Sequence, residues 1–409
     1  MRILALGAPG AMGTVAAHTA PTVPGIEEIV VADRDLGAAR SLARRLARSS
    51  VPVRAIEVDV TDDVTLRKVL ADVDLVLNTV GPYYRFGLTV LRAAIETRTH
   101  YLDICDDWEP TVQMLELDSL ARDHGVCAVV GMGASPGISN LLAVTAAAEL
   151  DTVQNVYTAW PVDVDGARDN TEGDDLFLGP DGSPTAAAVH WMQQFSGTIT
   201  AVRDGRLAEH RPLSPVALAL PGGRRGTGYT VGHPEPITLH RTVKPLGSAV
   251  NLMVIKPWTV AYLDTLRRDI DSGKLTNETA AMELAEPSAF RGLRAIPAAL
   301  RSKGPGTLPP FFAAATGTKQ GREHRVLAHL DLTGPSTDPV RSLLGDMARA
   351  TGIPLALGMS QVIDGTARIP GVSAPEAVID PHRFFDDLNR VLDRDAGSPI
   401  YLVEQESVA

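Results

Sequence analysis

The first thirteen residues place the tightest constraint on the fold. Residues 1–6 are mostly apolar and predict a short buried strand, which leads straight into the glycine-rich segment GAPGAMG at 7–13. Helical composition then continues as far as Pro21. Closely spaced glycines let a backbone turn tightly and approach a phosphate, and the following helix offers N–H donors and a positive dipole end. Because the spacing is GxxGxxG rather than GxGxxG, the motif alone fits either a pyrophosphate loop or an ordinary tight turn.

An acidic residue at a suitable distance favours the pyrophosphate loop. Asp33 stands twenty residues after Gly13, at the end of the apolar run 29–32. An acid at this position accepts hydrogen bonds from a ribose diol and repels a 2′-phosphate, which predicts a bound dinucleotide and favours NAD. Arg34 follows directly and can cover a 2′-phosphate, so the sequence leaves NADP open.

A regular alternation of strands and helices follows the glycine loop. Further strands are predicted at 27–33, 51–59, 74–80, 99–105 and 126–133, with helices at 36–48, 62–72, 86–97 and 108–124. The strand segments are apolar and β-branched, which is typical of strands covered on both faces. The alternation predicts an α/β fold in which a doubly wound parallel sheet forms a Rossmann dinucleotide-binding domain at 1–137.

The pattern changes beyond residue 138. A central α+β domain for substrate binding and dimerisation is predicted at 138–345, followed by a C-terminal segment at 346–409. Strands at 153–164, 198–203, 206–209 and 326–332 and a helix at 186–195 predict a mainly antiparallel sheet with helices on one face. The acidic stretch 165–185 is either a lid or a solvated connector. A mostly helical insert occupies 258–310, and a last helix is expected near 336–350.

Composition excludes several kinds of partner. The 409 residues carry a net charge of −11, whereas binding to nucleic acid or to an anionic membrane needs a basic face. No run of eighteen apolar residues is present, so no membrane span is expected, and the apolar N-terminus is interpreted as the first strand rather than a signal peptide. Cys105 and Cys127 form neither a disulfide framework nor a metal site, and we expect two reduced core cysteines in a cytoplasmic protein.

Polar residues follow three of the predicted strands. The loop Asn78–Pro82 after the fourth strand is expected to line the nicotinamide side of the cofactor, because ligands of such sheets lie beyond the carboxyl ends of the strands. Asp103 ends the fifth strand within an apolar run, so it must be paired, bound to a ligand or displayed at the strand tip. For Asp106 and Asp107, capping of the next helix competes with catalysis.

These segments together resemble a known family. The motifs GAPGAMG, NTVGPYYRFG, YLDICDDWE and GMGASPGISNLL, in this order, resemble the saccharopine dehydrogenase family of NAD(P)-dependent oxidoreductases. The resemblance implies a Rossmann domain, a central α+β domain that forms homodimers, and a chain end that packs back on the Rossmann domain. It also implies oxidation of an amine to an imine, or the reverse, on an amino-acid-derived substrate. Ser135 and the insert at 258–310 depart from the family pattern.

The resemblance and the strand-end positions together assign the site residues. The cofactor set is Gly7, Gly10, Ala11, Met12, Gly13, Asp33, Arg34, Asp59, Asn78, Thr79, Val80, Gly81 and Pro82. The candidate catalytic residues are Asp103, Tyr83, Asp106 and His233. The candidate substrate residues are Tyr84, Arg85, Ser135, His240 and Arg241. No metal is expected.

Two other functions remain open from the sequence. One is a dinucleotide-binding redox sensor without catalysis. The other is a semialdehyde-type dehydrogenase with Cys105 as nucleophile, although no histidine adjoins Cys105 in sequence to lower its pKa.

Overall fold

The computed structural model describes residues 1–164, 178, 182–334, 338–394 and 398–408. The chain divides into two compact units, each made of two segments. The first unit is Met1–Leu141 with Leu332–Ile400, and the second is Leu142–Asp331 with Tyr401–Ala409. The acidic stretch predicted at 165–185 lies mostly outside the described residues.

Strands occur along the whole described chain. They are β1 (Arg2–Leu6), β2 (Glu28–Asp33), β3 (Val53–Glu57), β4 (Leu75–Asn78), β5 (His100–Asp103), β6 (Cys127–Val129), β7 (Thr152–Pro161), β8 (Ile199–Arg203), β9 (Arg206–His210), β10 (Pro215–Leu220), β11 (Arg224–Val231), β12 (Ala249–Val254), β13 (Phe312–Lys319), β14 (Arg322–Leu330), β15 (Gly371–Ser373) and β16 (Tyr401–Ser407).

Helices alternate with the early strands and cluster later in the chain. They are α1 (Ala11–Thr19), α2 (Leu36–Arg45), α3 (Asp63–Ala71), α4 (Tyr83–Glu96), α5 (Trp108–Leu115), α6 (Asp118–His124), α7 (Ile138–Ala147), α8 (Ala186–Gln194), α9 (Glu235–Thr242), α10 (Pro257–Asp271), α11 (Asn277–Ala285), α12 (Ala289–Ala299), α13 (Pro339–Gly345), α14 (Met347–Ile363), α15 (Pro375–Val378) and α16 (Pro381–Val391).

The first unit contains a parallel sheet in the order β15-β6-β5-β4-β1-β2-β3. All of its strand pairs are parallel, and the first six strands have the order of a doubly wound dinucleotide-binding fold. β4 is fully buried, as expected for a strand covered on both faces. The Rossmann fold predicted from the alternation is therefore confirmed. The helix predicted at 108–124 is divided into α5 and α6, with the buried Leu117 at the break.

Part of the C-terminal segment completes this first unit. β15 pairs with β6 and extends the parallel sheet by one strand. α14 packs so closely on α1 that a Cβ placed at Gly352 would lie 2.5 Å from the carbonyl oxygen of Met12. The predicted return of the chain end to the Rossmann fold is thereby confirmed for this segment.

The second unit contains a mixed sheet in the order β10-β11-β12-β7-β13-β14-β16, with β8 on β12 and β9 on β8. Its pairs are antiparallel except for β12 with β7, in agreement with the predicted mainly antiparallel sheet. The predicted insert holds the three helices α10, α11 and α12.

The last strand differs from the expectation that the whole C-terminal segment packs on the Rossmann domain. β16 pairs with β14 in the second sheet. The side chain of Glu404 explains this placement, because Arg224 donates two hydrogen bonds to it at 2.7 and 2.9 Å. Nε2 of His329 lies 3.0 Å from the same carboxylate. Such a two-pronged arginine contact fixes the geometry of the strand as well as adding energy.

In the described part of the chain, no helix combines the length and apolar character needed to cross a membrane.

Candidate dinucleotide site and a second polar cluster

The glycine loop packs directly against the loop that follows β4. Gly7 has a φ of +75°, and a Cβ there would lie 2.9 Å from Cγ2 of Val80. A Cβ at Gly13 would lie 2.6 Å from Oγ1 of Thr79. The backbone N–H and the hydroxyl of Thr79 both donate to the carbonyl of Leu6 at 2.9 Å. These two glycines are therefore required by the close approach of the two loops.

The second glycine of the motif marks the start of α1. Gly10 is the N-cap residue and has no side chain to cap the helix, so Ala11, Met12 and Gly13 form the first turn. Backbone N–H groups of a first helical turn have no partner within the helix and carry the positive end of its dipole. A Cβ at Gly10 would meet only the carbonyl oxygen of Gly7, at 3.3 Å. A helix start without a capping side chain is suited to binding a pyrophosphate through its backbone N–H groups.

Charged residues lie where the adenosine ribose is expected. Asp33 ends β2, and its Oδ1 accepts the backbone N–H of Asp35 at 2.9 Å. Arg34 is exposed, and its charge helps to lower the pKa of Asp59. The larger cause of that lowered pKa is Thr61, whose N–H and hydroxyl donate to Asp59 at 2.9 and 2.7 Å. The cofactor residues predicted in the first two strand-end loops thus lie on one edge of the sheet.

Asp103 connects the ends of three adjacent strands. Its side chain is fully buried and accepts the hydroxyl of Tyr101 at 2.7 Å, the N–H of Cys105 at 3.0 Å and the N–H of Gly131 at 2.7 Å. Nδ2 of Asn78 donates to the Tyr101 hydroxyl at 3.0 Å, which extends the network to β4. Burial is the main cause that raises the pKa of Asp103 to about 6, against the three hydrogen bonds that lower it. Of the three states left open by the sequence, the structure shows the paired one.

Tyr83 belongs to the same network. Its hydroxyl donates to the carbonyl of Asn78 at 2.8 Å and accepts the N–H of Ile104 at 3.4 Å. Burial, followed by the charge of Asp103, raises the pKa of Tyr83 well above its usual range. Tyr83 is 7% exposed, so its hydroxyl ties β4 to β5. The neighbouring Tyr84 is 56% exposed and is the tyrosine at this loop that faces outward.

The remaining residues of this edge occupy three positions. Asp107 is the N-cap residue of α5, and its carboxylate accepts the N–H of Tyr84 at 3.2 Å. Arg85 is exposed and stacks over the ring of Phe86, 4.8 Å from its centroid. Ser135 lies in the turn between β6 and α7, where the N–H of Gly133 donates to the carbonyl of Pro136 at 2.9 Å.

Cys105 lacks the exposure and the lowered thiol pKa of a catalytic nucleophile. Its side chain is fully buried, and Sγ lies 3.7 Å from Oγ1 of Thr111. Burial is the first cause, and the charge of Asp103 the second, that raise the pKa of the Cys105 thiol well above its usual range. A thiol in such surroundings stays protonated and inert.

The second unit holds a separate buried polar cluster. Nδ1 of His233 lies 2.9 Å from Oε2 of Glu235, and these side chains are 3% and 0% exposed. Asn251 donates to Oε1 of Glu235 at 2.9 Å and accepts the indole N–H of Trp160 at 2.8 Å. A buried carboxylate needs such donors, so we assign the proton of His233 to Nδ1, which leaves Nε2 as the acceptor atom.

The other candidates of this unit lie on or beside α9. His240 is half-buried and Arg241 exposed, both in the last turn of the helix. On α8, Nε2 of His190 lies 2.7 Å from the side-chain nitrogen of Gln194, and the carbonyl of Gln194 accepts the N–H of Gly232. The candidate residues His233, His240 and Arg241 are therefore divided between a buried part around His233 and an outer part around Arg241.

Sequence reasoning missed the residues that complete both networks. Tyr101 stands two residues before Asp103, and residues two apart share one face of a strand, so the pattern carried a signal for this pair. His233 and Glu235 are also two residues apart. Gly131 and Asn251 lie 28 and 16 residues along the chain from their partners Asp103 and Glu235, and the sequence offers no local signal for these contacts.

Comparison with known proteins agrees with the geometry of the first unit. The family model described as the saccharopine dehydrogenase NADP binding domain matches residues 3–129. This segment is therefore similar to that NADP binding domain. The resemblance predicted from the four motifs is confirmed, and the first unit has the nucleotide-binding fold of an NAD(P) protein.

Individual relatives match about a third of the chain. Saccharopine dehydrogenase (NADP(+), L-glutamate-forming) of Pyricularia oryzae is 30% identical over 132 residues, which are 32% of this chain and 26% of that protein. The protein of the same description from Saccharomyces cerevisiae is 34% identical over 116 residues, 28% of this chain and 24% of that protein. The chain therefore matches about a quarter of the length of these relatives.

A solved structure extends the likeness to the whole fold. The apo histidine-tagged saccharopine dehydrogenase (L-Glu forming) from Saccharomyces cerevisiae has a TM-score of 0.62, 18% identity and coverage of 100% of both chains. At this identity the match shows a common fold and no more.

Proposed function

We propose that this protein is an NAD(P)-dependent oxidoreductase that transfers hydride at a C–N bond of an amino-acid-derived substrate. The observation that carries the proposal is the edge of the parallel sheet, where the bare start of α1 lies beside the loop after β4. The match of residues 3–129 to an NADP binding domain supports the cofactor class. The names of the relatives support the reaction class as oxidation of a secondary amine or reduction of an imine.

The residues of the first unit bind and orient the cofactor. The first-turn N–H groups of α1 would hold the pyrophosphate, and Asn78 to Pro82 would line the nicotinamide side. When bound, the nicotinamide ring accepts or supplies the hydride. Asp103 and Tyr83 act as positioning residues, because their polar atoms already hydrogen-bond to residues at the ends of the strands beneath this loop. Rigid support of this kind keeps a site in a productive geometry.

His233 is the best candidate to move the substrate's proton. Glu235 holds one ring nitrogen, so Nε2 can take a proton from an amine or return it to the nitrogen of a reduced imine. An imidazole whose Nδ1 is held by a carboxylate fits this task, because the carboxylate fixes which nitrogen faces the substrate, as in hydrolytic triads. Asp106, at the strand-end edge of the first unit, is our candidate to stabilise the developing iminium charge. Tyr84, Arg85, Ser135, His240 and Arg241 remain candidates for binding the rest of the substrate.

The choice between NAD and NADP depends on two adjacent residues. Asp33 favours NAD, since its carboxylate repels a 2′-phosphate. The domain family that matches this segment is described as NADP-binding. The exposed Arg34 offers the cation that a 2′-phosphate needs. We therefore propose that the protein accepts both cofactors, with Asp33 limiting the affinity for NADP.

The structure bears differently on the two alternative functions, a semialdehyde dehydrogenase and a redox sensor. The state of Cys105 argues against a semialdehyde dehydrogenase, because a fully buried, protonated thiol cannot attack a carbonyl. A redox sensor would keep the cofactor site without needing the His233–Glu235 pair, and the experiment below separates it from an enzyme.

The experiment is a substrate panel with matched variants. Amino acids and polyamines are tested with NAD and NADP, and keto acids mixed with amines are tested with the reduced cofactors, by absorbance of the reduced nicotinamide. His233→Gln and Glu235→Gln should lower kcat by about 100-fold, a usual share for general acid–base catalysis, at unchanged cofactor affinity. His324→Gln, at a histidine of β14 in the same unit, is the control and should retain kcat. Turnover of simple alcohols alone would contradict the proposal, and tight cofactor binding without any turnover would favour the sensor.

A further inference from the structure

The helix α12 presents an apolar stripe to its outer side. Phe290, Leu293 and Leu300 are 69%, 66% and 83% exposed, and Pro297 between them is also exposed. Their spacing of three, four and three residues places them along one face of the helix, as in the seam of a coiled coil. We call these four residues the α12 stripe. Exposed large apolar residues in such a row mark an interaction surface rather than ordinary scatter.

Neighbouring side chains widen the α12 stripe. Ile296 is 39%, Met282 on α11 is 48% and Trp258 on α10 is 50% exposed. Trp258 lies beside α12, since a Cβ at Gly292 would be 3.9 Å from its Cζ2 atom. The apolar surface is thus built by three helices and is on the order of a few hundred Å², the size of a functional patch.

The opposite face of α12 is anchored to its own unit. Ala295 is fully buried in the apolar core beneath α10. Arg291 and Arg294 both bind Asp269, with Arg294 contacting both carboxylate oxygens at 2.8 and 2.9 Å. The guanidinium of Arg294 also lies 5.8 Å from the centroid of the Phe290 ring. The outer stripe is therefore held rigid before any partner arrives, which lowers the entropic cost of binding.

We propose that the α12 stripe binds the same stripe of a second copy, with the two helices antiparallel. The stripe is self-complementary about its centre, because Phe290 then faces the partner's Leu300 and Leu293 faces the partner's Pro297. A two-fold axis requires such reciprocal pairs.

The charges at the two ends of the helix agree with this orientation. Glu286 is exposed before the start of α12, whereas Arg301 and Lys303 are exposed after its end. An antiparallel pair brings each acid beside the partner's two bases, while a parallel pair would place like charges together. A standard protein–protein interface buries about 800 Å² per partner and has an apolar centre. The α12 stripe and its apolar neighbours supply such a centre.

The first test is the oligomeric state of the full chain by sedimentation equilibrium. The wild type should be a dimer, and Leu293→Glu should raise the dissociation constant at least about tenfold by burying two unpaired charges. Val64→Glu is the matched control, because Val64 is 77% exposed on α3 and outside the α12 stripe. A monomeric wild type, or a dimer that Leu293→Glu leaves unchanged, would overturn the proposal.

The second test measures orientation by disulfide cross-linking. Phe290→Cys and Leu300→Cys proteins are oxidised separately and as a mixture; the two native cysteines are buried. A cross-linked dimer should form in the mixture and much less in either protein alone. Equal cross-linking of each protein with itself would indicate parallel helices and contradict the antiparallel pairing. Circular dichroism of each variant confirms that the fold is retained.

Discussion

The carboxylate of Asp103 accepts the backbone N–H of Gly131 at 2.7 Å, and this contact joins the ends of β5 and β6. Asp103 also accepts the hydroxyl of Tyr101, which in turn accepts an N–H of Asn78 at the end of β4. One buried side chain therefore sets the relative positions of three strand ends at the edge where the cofactor is expected to bind.

The titration of Asp103 should appear in the stability of the protein. Burial raises its pKa from 3.8 to about 6. Because the folded-state pKa lies above the unfolded value, the stabilising contribution is complete below pH 3.8 and is lost as the pH rises through about 6. This difference in pKa corresponds to about 3 kcal/mol.

The measurement compares wild type with Asp103→Asn by urea unfolding between pH 4 and 7.5. Asparagine cannot titrate, so the wild type should lose stability relative to the variant as the pH rises. A stability difference that stays constant over this range would show that Asp103 does not titrate there, and one that changes in the opposite direction would indicate a lowered pKa.

Gly10→Asp should weaken cofactor binding by at least about tenfold, or 1.4 kcal/mol, because its carboxylate would stand against the pyrophosphate. The nearest atom to a Cβ at this position is the carbonyl oxygen of Gly7 at 3.3 Å, so the loop need shift only slightly. Gly10→Asn is the matched variant of the same size without the charge and should bind more tightly than Gly10→Asp. Fluorescence titration with NADH and NADPH gives both affinities. Unchanged affinity in Gly10→Asp would place the pyrophosphate elsewhere.

Asp33→Ser should shift cofactor preference toward NADP, because it removes the charge that repels a 2′-phosphate and leaves Arg34 in place. Arg34→Gln should shift the preference toward NAD. The measured quantities are the dissociation constants of NADH and NADPH, which need no substrate. If both variants change the two affinities equally, these residues do not contact the 2′ position.

Cys105→Ala should keep the activity of the wild type, since a buried, protonated thiol contributes no nucleophile. Cys127→Ala is the control, because burial also raises the pKa of Cys127, to about 11. Initial rates are measured after thermal unfolding confirms the stability of both variants. Loss of activity in Cys105→Ala alone, with the fold retained, would revive the covalent mechanism.

The sequence predicted the Rossmann fold because its information is local. Each strand, glycine turn and helix of the first unit is encoded by neighbouring residues, and parallel crossovers allow few orders for such strands. The glycine loop, Asp33 and Asn78 were predicted as cofactor residues in the same way, because each position follows from where a strand ends. The second sheet was predicted only in part: β10, β11, β12, β13 and β16 were not recognised, because strands of a mixed sheet depend on partners far along the chain.

Tertiary structure alone decided how the polar residues are used. The sequence placed Asp103 and Tyr83 at the sheet edge, but strand pairing brought Gly131 to Asp103, and folding buried both side chains within one hydrogen-bond network. Folding likewise joined Glu235 to Asn251, sixteen residues apart, and left the α12 stripe exposed. A residue type states which chemistry is available, whereas burial and hydrogen-bond partners determine whether that chemistry faces a ligand, and both depend on contacts between distant parts of the chain.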